Sequence, residues 1–234
     1  VKPPRHLSLL FFALMYVLTL DAYASDRAVA ETNGSVGANY IEGGSVGTSI
    51  SVNTPVADYL GLTFGVSFLD TDFARFYTAS SGLFVRDMSI GHVGLFAGLG
   101  EVDAKASPVI DSTSTDYGVR GAYYLNTSFD IFASRSNSRA RANGFSAHVN
   151  LGSVGLGWFA SPDVRVALLA GLLDQSDRYV ATILFQPTLF GGKASFGIAY
   201  ADGSGVDSQF AVAFVYYFGP AKTLMKRFRE DLFY

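Results

Sequence analysis

The chain has 234 residues, of which 49% are hydrophobic and 16% charged, with no cysteine and a formal net charge of −3. Without cysteine there is no disulfide scaffold, no cysteine-ligated metal and no lipid-modified cysteine; the small negative charge argues against nucleic-acid binding. A water-soluble sandwich of this size carries about 25% charge, so 20 Phe, 13 Tyr and 25 Gly with so few charges fit a membrane barrel better than the alternative, a soluble all-β exported domain.

The first element is expected to be a signal peptide over residues 1–24. Lys2 and Arg5 give a positive start, residues 7–20 are apolar, and Ala22-Tyr23-Ala24 has the small-x-small pattern of a cleavage site. Fourteen residues at ~1.5 Å each reach only ~21 Å, short of a ~30 Å hydrocarbon core. Removing Lys2, Arg5 and Asp21 takes the charge from −3 to −4.

Alternating strands then follow one another. Residues 32–41 and 45–53 form a hairpin about Glu42-Gly43-Gly44, and 58–68 sets Leu60, Leu62, Phe64, Val66 and Phe68 against Gly61, Thr63, Gly65 and Ser67. After a polar loop, 82–90 is ambiguous because Arg86 falls in phase with Phe84, Met88 and Ile90. A turn near Gly91-His92 leads to 93–103, and a loop holding Asp103 and Asp111 leads to 114–125 and 128–136. Strand 144–160 changes phase: Phe145, Ala147, Val149 and Leu151 are odd, whereas Val154, Leu156 and Trp158 are even. A β-bulge near Gly152-Ser153 would produce that shift, and it would turn Ser146, His148 and Asn150 inward. Strands 164–174, 179–187 and 192–200 complete the series up to 207–218.

In 207–218, Phe210, Val212, Phe214, Tyr216 and Phe218 share one face, as in a strand with lipid on one side and a lumen on the other. This segment resembles the closing strand of bacterial outer-membrane β-barrels. The resemblance implies that the five residues, ending at Phe218, are an assembly signal read by the barrel-assembly machinery. It also implies outer-membrane lipid and lipopolysaccharide as surroundings and the Gram-negative outer membrane as location. The pattern predicts an all-β fold, a transmembrane antiparallel up-and-down barrel of twelve strands (ten if 82–103 is one irregular strand and another hairpin fails) spanning 25–218. An even count puts both termini on the periplasmic side. Two aromatic girdles are expected: Tyr40, Phe68, Tyr117, Phe145, Tyr179, Tyr200 and Phe210 at one interface, and Phe129, Trp158, Phe185 and Phe218 at the other.

The inward face is expected to carry Asp116, Arg120, Asp130, Arg165 and Lys193, forming an internal ion-pair network or lining a polar pore. Inward Gly61, Gly65, Gly94, Gly98 and Gly118 leave room for an open lumen, or equally for tight curvature or a plug. Ser146 and His148 are the weak catalytic candidates. Residues two apart on one strand face lie ~7 Å apart, too far for a direct hydrogen bond, and the outer-membrane phospholipases that the pair resembles have instead a His-x-Ser order and an outward-facing site at the lipid boundary. Three polar residues lining a lumen is the plainer reading. No cofactor or metal site is expected: no histidine pair has zinc spacing, and Gly98-Leu99-Gly100 and Gly155-Leu156-Gly157 precede no helix. Asp103 and Asp111 are the nearest thing to a divalent-cation loop. Arg135, Arg139 and Arg141 are expected on an outer loop contacting lipopolysaccharide phosphates.

The tail, 219–234, repeats Leu224, Phe228 and Leu232 every four residues among Lys222, Lys226, Arg227 and Arg229. It reads either as an amphipathic helix on the inner leaflet or as a disordered periplasmic segment. The expected function is a non-enzymatic, porin-like channel for small solutes. A structural or surface-interaction barrel working through its loops is the alternative, and a lipid hydrolase a distant third.

Overall fold

The computed structural model describes residue 29 and residues 31–105, 111–142, 145–173, 176–204 and 206–232. The expected signal peptide lies outside these residues. Twelve strands form a closed barrel: β1 (Asn33–Ile41), β2 (Ser45–Ala57), β3 (Leu60–Asp70), β4 (Ala74–Asp87), β5 (Gly91–Ala104), β6 (Asp111–Tyr124), β7 (Phe129–Ala142), β8 (Phe145–Ser161), β9 (Val164–Leu173), β10 (Ser176–Phe185), β11 (Ala194–Gly203) and β12 (Val206–Phe218). Each pairs antiparallel with its sequence neighbours, and β1 pairs with β12 from Gly34↔Phe218 to Ile41↔Ala211, so no sheet edge is left open. The closing strand therefore does what its alternation predicts, with Phe210, Val212 and Phe218 exposed on the outer face. The start of β1 and the end of β12 share one end of the barrel, the terminal end; the opposite end is the far end.

Apolar side chains cover the outside because the barrel has no second layer to bury them against. Leu95, Leu99, Tyr117, Leu168 and Tyr179 are all more than half exposed. At the terminal end the outer aromatics touch across strands, Phe129 stacking on Trp158 at 6.3 Å and Phe185 on Phe196 at 5.4 Å, and along β12 Tyr216 meets Phe218 edge-on at 5.4 Å. Towards the far end Phe68 meets Tyr77 and Tyr200 meets Phe210. The Phe145 side chain lies outside the described residues.

Several expectations about strands need correction. The polar loop before residue 82 is only 71–73, a tight turn in which the Thr71 hydroxyl donates to the Ala74 carbonyl at 2.9 Å and accepts the Ala74 amide at 3.1 Å. β4 therefore starts at Ala74, and Leu83 and Val85 face outward while Phe84 and Arg86, each 1% exposed, face inward. The phase looked ambiguous because the lumen at this level is itself a packed core. His92 lies in β5, not in a turn; it is buried with Nδ1 3.3 Å from the Tyr124 hydroxyl.

The third correction concerns β8. Its pairing with β7 runs without interruption from Ala142↔Phe145 to Phe129↔Trp158, and its irregularity lies at Phe159/Ser161 in the β9 pairing. There is no bulge near Gly152. Even-numbered residues keep one face throughout, so Ser146, His148 and Asn150 share the outward face of Val154, Leu156 and Trp158. Hydropathy inverts along β8 because its far half emerges from the apolar band: the outside becomes polar there while the backbone stays in register. β7 likewise continues to Ala142, which makes Arg135, Arg139 and Arg141 outward strand residues opposite Gly152, His148 and Ser146, not loop residues. Asp103 and Asp111 sit opposite one another in β5 and β6.

Candidate functional site: a lumen closed at one end

The lumen divides into two halves. In the far half the inward faces of β2–β6 carry Ser49, Ser67, Thr78, Ser80 and Ser114 beside the larger Leu69, Phe76 and Val102, and the Ser67 and Thr78 hydroxyls pair at 2.5 Å. Half-buried towards the terminal end, Ser35 pairs with Ser51 at 2.8 Å and Ser134 with Ser153 at 2.7 Å. Ser138 donates to Asp116 at 3.2 Å. The facing wall is more apolar, with Leu169, Val180, Ala199 and Ala211 on β9–β12. Ser49, Ser67, Thr78 and Ser80 are exposed, whereas Asn53, Thr63, Gly82 and Phe84 further down the same strands are buried. Exposure therefore falls along the lumen axis, as in a cup open at the far end.

The terminal half is filled. Arg165 makes a bidentate pair with Asp130 (2.7 and 3.4 Å), and both are at most 4% exposed. Its guanidinium also lies 5.2, 5.6 and 4.5 Å from the rings of Phe132, Phe159 and Phe228. Arg120 faces inward over Phe96 at 5.0 Å, and Arg86 over Phe84 at 4.9 Å. Asp116, Arg120, Asp130 and Arg165 thus all project into the lumen, and Asp130 and Arg165 pair with each other directly. Lys193 does not line the wall: it precedes β11 in the β10–β11 connection, where its carbonyl accepts the Tyr217 amide.

The inward glycines answer the question of open space differently at different levels. A Cβ on Gly61 would fall 2.5 Å from the Phe84 ring, one on Gly155 2.3 Å from Phe132, and one on Gly157 2.2 Å from the Arg165 guanidinium. These glycines make room for large luminal side chains and leave no channel. Gly94→Ala is expected to destabilise the barrel by about 1–3 kcal/mol, because its Cβ would sit 2.4 Å from the Leu83 carbonyl oxygen and 2.5 Å from Phe84 Cβ. Gly171→Ala, with nothing nearer than 3.6 Å, should stay within about 0.5 kcal/mol. Urea midpoints of micelle-refolded protein compare the two.

The tail supplies the stopper. After Phe218, Gly219 takes φ 105°, a value glycine tolerates, and the chain turns through Pro220 into helix α1 (Leu224–Glu230). Thr223 caps it, accepting from the Lys226 amide. The helix lies across the terminal mouth rather than along a membrane leaflet, and it touches the barrel nearly all the way round. The Leu224 amide donates to Asp163, the Met225 amide to the Pro162 carbonyl and Gln186 to the Lys222 carbonyl. Arg229 donates to the Asn126 carbonyl and covers Tyr124; Arg86 donates to the Leu232 carbonyl. Leu224 and Phe228 pack on Phe159. Arg227, 1% exposed, donates to the carbonyls of Gly192 (2.6 Å) and Pro220 (3.1 Å) and stacks on Tyr217 at 4.2 Å. On the opposite side of the mouth Val29 packs against Phe84. The four-residue apolar spacing foretold the helix, but nothing in it foretold the docking site.

Asp231 closes the network through Lys222 (2.7 Å) and Arg227 (3.7 Å). Burial pushes its carboxyl above the usual 3.8, against the pull of Lys222 and Arg227. A carboxyl with a higher pKa docked than free holds its proton more tightly when docked. Docking therefore strengthens as pH falls into the range just above 3.8 and weakens as pH rises out of it. Tail docking, read as hydrogen-exchange protection of α1, is expected to be tighter at about pH 4.5 than at about pH 7.5, with Asp231→Asn flattening the difference.

No family model matches the chain, and no curated protein does either. Solved structures do. A KdgM porin in complex with disordered oligogalacturonate superposes with a TM-score of 0.56 at 8% identity, covering 80% of this chain and 99% of that one. The COG4313 outer membrane channel from Pseudomonas putida F1 gives 0.57 at 11%, covering 86% and 98%. The likeness is one of fold: this chain is a twelve-stranded barrel of the outer-membrane type.

Proposed function

We propose that the protein is a porin-like channel of the bacterial outer membrane, passing small polar solutes when α1 leaves the periplasmic mouth. The far end would face outward and the terminal end the periplasm. The observation that carries this reading is the solvent-reaching half-lumen with exposed Ser49, Ser67, Thr78 and Ser80, ending at a seven-residue helix on a Gly-Pro hinge. A core built only to hold the barrel together would not need solvent-reaching rows of serine. The fold shared with a porin and an outer membrane channel agrees with it.

No enzymatic step is proposed. Ser146 and His148 sit two apart on the outward face of β8, ~7 Å from one another, and no hydrogen bond joins them among the described residues. Purified full-length protein in planar bilayers should show brief, infrequent conductance steps. Liposomes carrying it should swell slowly in small neutral sugars. Complete silence in both assays, with the tail removed as well as present, would sink the channel reading. It would favour the surface-interaction barrel, for which the closed mouth is the supporting observation.

A further inference from the structure

The outward face of β7 and β8 towards the far end is unlike the rest of the exterior. Arg135, Arg139 and Arg141 stand on it in a row, opposite Gly152, His148 and Ser146 on β8 and opposite Val119, Thr115 and Thr113 on β6. Arg135 and Arg141 are exposed, and among the described residues none of the three forms an ion pair. Immediately below, towards the terminal end, an apolar groove of about 510 Å³ runs across β7–β11. Its floor is Ala170 and Ala181, and its walls include Leu156, Leu168, Tyr179 and Tyr200. Arg135 stands beside the groove: its partner Gly152 is two residues from the groove residue Val154, a diagonal separation of ~7–8 Å. A Cβ at Gly152 would meet nothing within 4 Å, so the space beside Arg135 is open.

Cations on the outer face of a barrel are costly where they meet hydrocarbon and cheap only near the interface. Three of them in a row that starts beside an apolar groove at Arg135 call for anionic groups from outside the protein, joined to chains that fill the groove. Arginine pairs bidentately with phosphate, and the hydroxyls of Thr113, Thr115 and Ser146 with the His148 ring flank the row as further polar contacts. We propose that this face binds lipopolysaccharide, its phosphates on Arg135, Arg139 and Arg141 and an acyl chain in the β7–β11 groove. The choice of this lipid rests on the reading above that the far end faces the outer leaflet.

The test uses full-length protein in detergent micelles with three probes: lipopolysaccharide, the same lipid dephosphorylated, and dioleoylphosphatidylglycerol, read by native mass spectrometry. Lipopolysaccharide should bind at least about tenfold more tightly than either other probe. The Arg135→Ala/Arg139→Ala/Arg141→Ala variant should lose that preference, and Ala170→Trp, which fills the groove, should weaken binding with the arginines intact. Arg139→Gln/Arg141→Gln serves if the triple variant does not refold. Conductance should be unchanged in all of them, since the residues lie outside the lumen. Equal retention by the arginine variants, or equal affinity for the dephosphorylated lipid, overturns the proposal. The orientation is checked separately by labelling Gly43→Cys on intact cells: labelling only after permeabilisation overturns the orientation and with it the choice of lipid, whatever the micelle result.

Discussion

Deleting residues 219–234 is expected to turn brief openings into a lasting conductance, while the barrel still folds and inserts. The strand pairings from β1 to β12 do not involve the tail, whereas its docking closes the mouth through contacts with β4, β6, β8, β9, β12 and the β10–β11 connection. The subtler variant is Arg227→Ala. It removes two charge-assisted hydrogen bonds and the stacking on Tyr217. At about 1.5–3 kcal/mol for each bond to a charged group, even one bond's worth raises the ratio of open to closed time about 10–100-fold, so the loss of both should raise it by at least that. Arg227→Lys should recover only part of closure, because an ammonium cannot reproduce the planar fork that reaches two carbonyls while lying on a ring. Single-channel recordings of the three forms decide the matter. If truncation leaves the conductance unchanged, the helix is not what closes the lumen.

Asp130→Asn is expected to cost about 3–5 kcal/mol of barrel stability, the largest effect of any single substitution on the strands. The Asp130–Arg165 pair lies among Phe132, Phe159 and Phe228 with Gly157 cut away beneath it. Losing the carboxylate leaves a guanidinium buried with ring faces but without its counter-charge. The double variant Asp130→Asn/Arg165→Met should recover much of the loss, since a buried pair replaced whole by packing residues is often neutral. Because Phe228 of the plug lies 4.5 Å from the Arg165 guanidinium, Asp130→Asn should also loosen closure, a coupling visible as more frequent openings. Urea unfolding read by tryptophan fluorescence at Trp158, together with conductance, separates the two effects. A loss below about 1 kcal/mol would falsify the view that this pair organises the terminal half.

Much of the architecture was legible because a barrel in lipid writes itself into alternate residues. Where a strand has hydrocarbon on one side, as in β3 and β12, hydropathy and geometry have the same period of two, and side-chain direction follows directly. Hydropathy and geometry part company where the environment changes without a change in the backbone. In β8, polar Ser146, His148 and Asn150 follow the outward phase of apolar Val154 and Leu156, because that face has left the hydrocarbon. In β4, Phe84 and Arg86 point inward into a filled core, and their alternation with outward Leu83 and Val85 is masked by apolar side chains on both faces. The glycines show the same limit. Their inward position followed from the pattern, but whether each leaves space or makes room for a ring depends on a partner one strand away.

Sequence alone determined the class of this protein, its even number of strands, its closing strand and the inward direction of Asp130 and Arg165, because each of these follows from periodicity along the chain. Tertiary structure decided which inward charges meet, that the arginines of β7 stand on the outer wall, and that the tail returns to close the mouth. Those outcomes depend on register between strands and on contacts between residues far apart in the chain, such as Arg86 with Leu232 and Arg229 with Asn126. No local pattern encodes a contact whose two halves become neighbours only when the barrel closes.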